Sequence, residues 1–344
     1  MKTSLVPFYV CLAILFSVLA VGFEALGQDK FKEIDFTLRP DSKGTKTVVK
    51  LAIKVLDIDE IDGASQTFTA NVAVLAAWKD ERLAGGRDKR TMPLSSVWNP
   101  SLQFSNQQRL LKTFPEVVTV NSDGTVEWIQ RYWGKFSQPL DLHDFPLDQH
   151  TFTIQLVVAS RDFANIEIEV PKDVRFRSGL AKKLSLPDWE ITDWQVEVAP
   201  VELIEGSNQL PGFAFNFHAK RYIGYYLVKV LLPLLMIVMM SWIVFWIHPS
   251  ESGSQISVSI TSMLTLIAYR FALGAMLPKV SYITRMDGFI LFATIMVFIA
   301  LMEAVTTSRL VKVGKEDLAL KMDLSCRVLF PACFIAACIF AIWS

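Results

Sequence analysis

Cysteine is scarce in this 344-residue chain, and its four copies are poorly placed for covalent bracing. Cys11 lies in the N-terminal apolar stretch, and Cys326, Cys333 and Cys338 lie in the last one. The segment at 28–220 has none, which excludes a disulfide framework there; its roughly 190 residues must be held by an apolar core alone. A basic excess is lacking too. Thirty-four basic side chains balance 34 acidic ones, and residues 28–220 carry 27 acidic against 23 basic. Phosphate binding needs a basic surface, so nucleic acid is not an expected partner. The four histidines are scattered and the late cysteines lack metal-ligand spacing. No metal, cofactor or catalytic constellation emerges, and no enzyme is expected.

What the chain does have is apolar length. Residues 1–27 read as a secretory signal peptide: Lys2, an apolar run from Leu5 to Val21, then Ala25-Leu26-Gly27 as a small-x-small cleavage site. The polar block at 28–220 is then exported. It alternates with period two in short stretches: Leu51, Ile53 and Val55 between Lys50 and Lys54; Ile166, Ile168 and Val170 between glutamates; Phe213, Phe215 and Phe217. Turn residues separate them, as in Asp62-Gly63, Gly85-Gly86 and Asn121-Ser122-Asp123-Gly124. The pattern predicts an all-β, immunoglobulin-like sandwich of about ten strands.

After Arg221 the period changes. The transmembrane part at 221–344 is read as an all-α four-helix bundle with spans at about 222–247, 254–277, 283–308 and 323–343, each near the ~20 residues that cross a bilayer. With the sandwich outside, the C-terminus returns outside, and Arg309, Lys312, Lys315 and Lys321 fall on the inner side. The bilayer is thus a partner, and a multi-pass location in a cell membrane is expected.

The second span differs from the rest. Its hydroxyls run from Ser250 through Thr265, and hydroxyls in a membrane need protein or water beside them. At about 100° per residue, Ser257, Thr261, Leu264, Ala268, Phe271 and Ala275 form one stripe, polar at the inner half and apolar at the outer. Several copies around an axis would turn it into hydroxyl rings and apolar constrictions that block ions by dewetting. A hydroxyl-rich helix packed dry in a bundle has the same pattern. The helix alone does not decide.

Gly253 to Thr261, continuing through Leu264 to Leu277-Pro278, resembles the pore helix of the pentameric ligand-gated ion channels, the Cys-loop receptor superfamily. Trp78-Lys79-Asp80, Trp98-Asn99-Pro100, Gly124-Thr125-Val126-Glu127-Trp128, Phe145-Pro146-Leu147-Asp148 and Arg221-Tyr222 through Pro233 match its other motifs in order. Gln138 and Phe152 stand where the family's loop disulfide would be. That absence, and a link of some 14 residues between spans three and four, resemble the bacterial branch, whose assembly is a homopentamer. Tyr269, Phe271, Leu277-Pro278 and Tyr282 look closest to a bacterial channel opened by primary amines.

The resemblance implies a homopentamer around a central pore lined by Glu251, Ser254, Ser257, Thr261, Leu264, Ala268, Phe271 and Ala275, with a hydrophobic gate at Leu264 and Phe271. It implies that Asp148 faces Arg221 between the domains, and that Pro146, the turn at Asp62 and the Leu277-Pro278-Lys279 link transmit the opening. The stimulus is a small-molecule agonist or protons, with His150 and His218 among the candidates for the latter. Ala73, Ser105 and Ala159 stand where cage aromatics usually do, which leaves Phe104, Tyr132, Phe163 and Phe213 as candidate ligand contacts. A ring of Glu251 and the acidic sandwich favour monovalent cations, although Ser254 replaces the glutamate usual in cation-selective relatives. The alternative is a membrane-tethered binding or sensor protein that does not conduct. A secondary transporter is disfavoured by the lack of an internal repeat.

Overall fold

The computed structural model describes residues 35–40, 44–86, 88–274, 277 and 279–343. The signal-peptide reading at 1–27 lies outside these, as do Ala275 and Pro278.

Among the described residues twelve strands form two sheets. The larger contains β1 (Thr47–Asp62), β2 (Thr67–Lys79), β3 (Arg90–Pro93), β5 (Gln107–Lys112), β6 (Val117–Val120), β7 (Thr125–Ser137), β9 (Ile166–Glu169) and β10 (Gly179–Leu180). The smaller runs β11-β12-β8-β4, from Trp189–Val198, Gly212–Arg221, Gln149–Val158 and Leu102–Phe104. The count exceeds the expected ten because two- and three-residue strands such as β10 and β4 are too short to leave an alternation in sequence.

The sheets are joined by aromatics, not sulfur. Phe68 stacks on Phe136 at 5.2 Å within the large sheet, and Phe152 on Phe217 at 5.1 Å within the small one. Phe68 meets both Phe152 and Phe217 edge-on at 5.5 Å, a geometry favoured by the ring quadrupoles. At the positions of the family's disulfide, Gln138 Oε1 accepts the Thr153 N–H at 3.1 Å beside the buried Phe152. Gly134 (φ +149°) lets β5 cross β7, since a Cβ there would lie 1.9 Å from the Arg109 carbonyl oxygen.

Four helices follow: α1 (Gly224–Trp246), α2 (Ser252–Leu273), α3 (Arg285–Lys312) and α4 (Glu316–Trp343). All are long and apolar enough to cross a membrane. Pro233 removes an N–H from α1, whose ladder loosens into a π turn at Leu227–Leu231, and the Tyr269 hydroxyl of α2 donates to the Val230 carbonyl at 2.6 Å. The helix that carries the expected fourth span begins before 323, at Glu316. Charges between Lys315 and Lys321 suggested a loop, but they ride on the first turns of α4, and the true turn is Val313-Gly314-Lys315 with Gly314 at φ +79°.

Candidate functional site

α2 buries one face against its own protomer: Gln255, Ser259, Ser262, Leu266 and Leu273. These positions repeat with helical spacing and leave the opposite stripe uncovered. Glu251, Ser254, Ser257, Thr261, Leu264, Ala268 and Phe271 are all exposed in the protomer. For Leu264 and Phe271 the exposures reach 61% and 82%, which is far more than an apolar side chain keeps when its own chain provides its packing. The Thr261 hydroxyl donates to the Ser257 carbonyl at 2.8 Å, and that of Thr265 to Thr261 at 2.8 Å. With their protons turned back to the helix, these oxygens present lone pairs outward.

The second part is the junction between sandwich and helices. Arg221, the last residue of β12, grips Asp148 with both arms: Nε to Oδ1 at 2.8 Å and Nη2 to Oδ2 at 2.9 Å. Asp148 is 3% exposed. The guanidinium lies 4.1 Å from the Trp189 ring and 4.9 Å from that of Phe145. His150 Nε2 bonds Asp148 Oδ2 at 2.9 Å. Burial opposes the Asp148 charge, but the bonds from His150 and Arg221 and their charges overcome it and hold its carboxyl down to about 2.

The loop that carries Asp148 also reaches α3. A helix leaves its first amides unpaired, and here the loop supplies the acceptors: Arg285 N–H donates to the His143 carbonyl at 2.9 Å and Met286 N–H to that of Phe145 at 3.2 Å. Thr284 closes the rest with a capping box, its hydroxyl accepting the Asp287 N–H. Arg285 Nε pairs with Asp144 at 2.8 Å, and the Leu142 N–H donates to the Tyr282 hydroxyl at 2.9 Å. Pro146 and Leu147 border an apolar cavity of 530 Å³ together with Leu227, Leu231, Met286 and Phe289.

The other expected junction residues sit differently. The Asp62 carboxylate serves its own turn, accepting from Ala64 N, Ser65 N and the Ser65 hydroxyl, which holds its carboxyl below the usual range. Lys279 is exposed. His143, Asp144, Trp189, Tyr282 and Arg285 were not singled out as junction contacts from sequence. Only Arg285, enclosed by the Thr284–Asp287 capping pair that opens an apolar run, carried a local signal.

The candidate ligand contacts do not converge. Phe104 and Tyr132 meet edge-on at 5.0 Å and line a 350 Å³ cavity with Trp78, Trp128 and Lys112. Burial, with the Glu116 charge, pushes the Tyr132 phenol up to about 12. Phe213 is wholly buried in the core, opposite Leu156, and Phe163 lies in a separate short turn, Phe163–Asn165. Of the histidines considered, His150 is bound to Asp148 and His218 Nδ1 to the Thr151 hydroxyl at 2.7 Å.

Comparison with known proteins assigns both halves. Residues 24–222 match the neurotransmitter-gated ion-channel ligand binding domain, and residues 230–330 match the neurotransmitter-gated ion-channel transmembrane region. A proton-gated ion channel of Gloeobacter violaceus is 26% identical over 295 residues, covering 84% of this chain and 80% of the relative.

Proposed function

Because this chain belongs to the neurotransmitter-gated ion-channel family, we propose that five copies surround an axis and that the uncovered stripe of α2 lines the pore between them. The observation that carries this reading is the exposure of Leu264 and Phe271 in the protomer. Fivefold repetition would make each an apolar ring able to stop ions by dewetting, with hydroxyl rings at Ser257 and Thr261 below. Glu251 at the start of α2 would add a ring of negative charge, and outward lone pairs on Thr261 would suit cations. The channel opens to a small ligand or to protons; the Gloeobacter relative is proton-gated. The Asp148–Arg221 clamp and the loop seated on α3 provide the path by which a change in the sandwich reaches the bundle.

The test is current recording from the purified protein in lipid bilayers under a NaCl gradient, while pH and a panel of primary amines are varied. Stimulated current that reverses near the sodium equilibrium potential is expected. Reversal near the chloride potential would overturn the cation assignment. Silence under every stimulus, from protein that still assembles, would favour a non-conducting sensor.

A further inference from the structure

The inner half of the bundle contains a cluster that neither the pore stripe nor the junction uses. Glu303 of α3 and Asp323 of α4 are 7% and 1% exposed. Their carboxyl groups face one another within hydrogen-bonding reach. Gln255 of α2, wholly buried, is their neighbour; its Nε2 is spent on the carbonyls of Ile247 and Val244 at 3.0 and 3.4 Å. Its Oε1 has no partner, and none of the four carboxyl oxygens has one either. Five buried acceptors therefore gather without a completed hydrogen bond, the edge of the Gln255 amide being the donor near Asp323, which native proteins seldom leave uncorrected.

The charges of Arg327 and His248 act on Asp323 only from a distance, and neither side chain bonds it. Arg327, one turn beyond Asp323, donates its Nε to the Phe245 carbonyl at 2.9 Å and lies 5.6 Å from the Trp246 ring. His248, in the link between α1 and α2, bonds the Ser250 hydroxyl and faces Glu316 at 3.9 Å. Cys326 is the other titratable group beside the pair. None of the ion pairs among the described residues includes either carboxylate, and no group of three or more metal-ligating side chains occurs among them.

We propose that Glu303 and Asp323 share one proton, in a carboxylic acid–carboxylate hydrogen bond that latches α4 onto α3. Two charged carboxylates in contact in a low-dielectric interior repel and are poorly solvated. One proton converts one of them into a donor and creates a charge-assisted O–H···O⁻ bond. The latch adds to a helix held by a few contacts, Phe330 on Phe245, Phe334 on Trp242 and Phe289, and Arg327 on the Phe245 carbonyl; 17% of its membrane window is buried within the protomer, against 39% for α1 and for α3. Removal of the proton by alkali would leave two like charges face to face and release the inner half of α4. This goes beyond the channel reading and does not require that the protein conduct.

Infrared difference spectroscopy of the full-length protein in lipid, titrated from neutral to alkaline pH, tests it. The expected result is a protonated-carboxyl carbonyl band that shifts in heavy water, is lost in alkali, and is missing from both Glu303→Gln and Asp323→Asn. In parallel, the thermal midpoint of the unmodified protein should fall in alkali more steeply than that of Glu303→Gln, whose amide donates to Asp323 at any pH. A wild-type spectrum without the band, or a band unchanged in both variants, would overturn the proposal. So would a sodium-dependent midpoint without the band, because a cation would then fill the site. If a variant fails to assemble, the heavy-water shift and alkaline loss in the unmodified protein remain decisive.

Discussion

The imidazole of His143 lies flat against the phenol ring of Tyr282, with centroids 4.0 Å apart and planes 11° from parallel. The Tyr282 hydroxyl accepts the N–H of Leu142 at 2.9 Å, so one side chain from the link between α2 and α3 holds the loop by its face and by its tip. Tyr282→Phe keeps the face and strands a buried donor, at a cost of about 1–3 kcal/mol. Tyr282→Ala loses both contacts and should shift the half-activating stimulus further than Phe does. Equal shifts in the two activation curves would mean that the stack contributes nothing.

Arg221 and Asp148 should behave as one unit. Breaking a buried pair from either side costs about 3–5 kcal/mol, so Asp148→Asn and Arg221→Gln should each destabilise strongly, and the double variant by much less than their sum. Denaturant unfolding of the four proteins of the cycle gives the coupling. Arg221→Lys should rescue little, because an ammonium loses the two-armed grip and lies less well on Trp189. Exchanging the two charges would set a carboxylate against that ring and should not restore gating.

Acid should erase the clamp late. Asp148 titrates at about 2 in the folded protein, below its ordinary 3.8. Its contribution is therefore full above that ordinary value and is lost as pH falls through the folded one. The stability gap between the unmodified protein and Asp148→Asn should stay constant at mildly acidic pH, begin to narrow as pH falls below 3.8, and have lost its ionic part once pH is below about 2. A gap that already closes at mildly acidic pH, in unfolding measured across a pH series, would contradict the assigned bonding.

Leu264→Ser would wet the proposed inner apolar ring. If wetting removes about 1.4 kcal/mol from the closed state, the half-activating stimulus should fall roughly tenfold, with a larger resting current before any stimulus. Activation and resting current identical to the unmodified channel would place the constriction elsewhere.

Different parts of the molecule were legible in sequence to different degrees. Alternation at Leu51, Ile53 and Val55 indicates a strand because one side of a sheet is buried, and Leu51, Ile53 and Val55 are indeed 0–1% exposed. The α2 stripe was legible because helical spacing makes neighbours of residues three and four apart. Asp148 and Arg221, 73 residues apart, came into view only through resemblance, since no local pattern links a loop to the end of a distant strand. The Trp189 face under Arg221 and the seat of His143 on Tyr282 had no signature, because both are products of how the sandwich lands on the helices. Glu303 and Asp323 had no signature either, because only the return of α4 along α3 brings them together.

The His143 and Phe145 carbonyls that complete the start of α3 restrict how the two halves can separate. Straight withdrawal of the sandwich would break both bonds at once, together with the Arg285–Asp144 pair, and leave two amide hydrogens to find water or headgroup oxygens instead. A rocking movement keeps both bonds while swinging the far end of the sandwich through a wide arc. By that geometry the first turn of α3 should behave as a ball joint, yielding to rotation more readily than to lift.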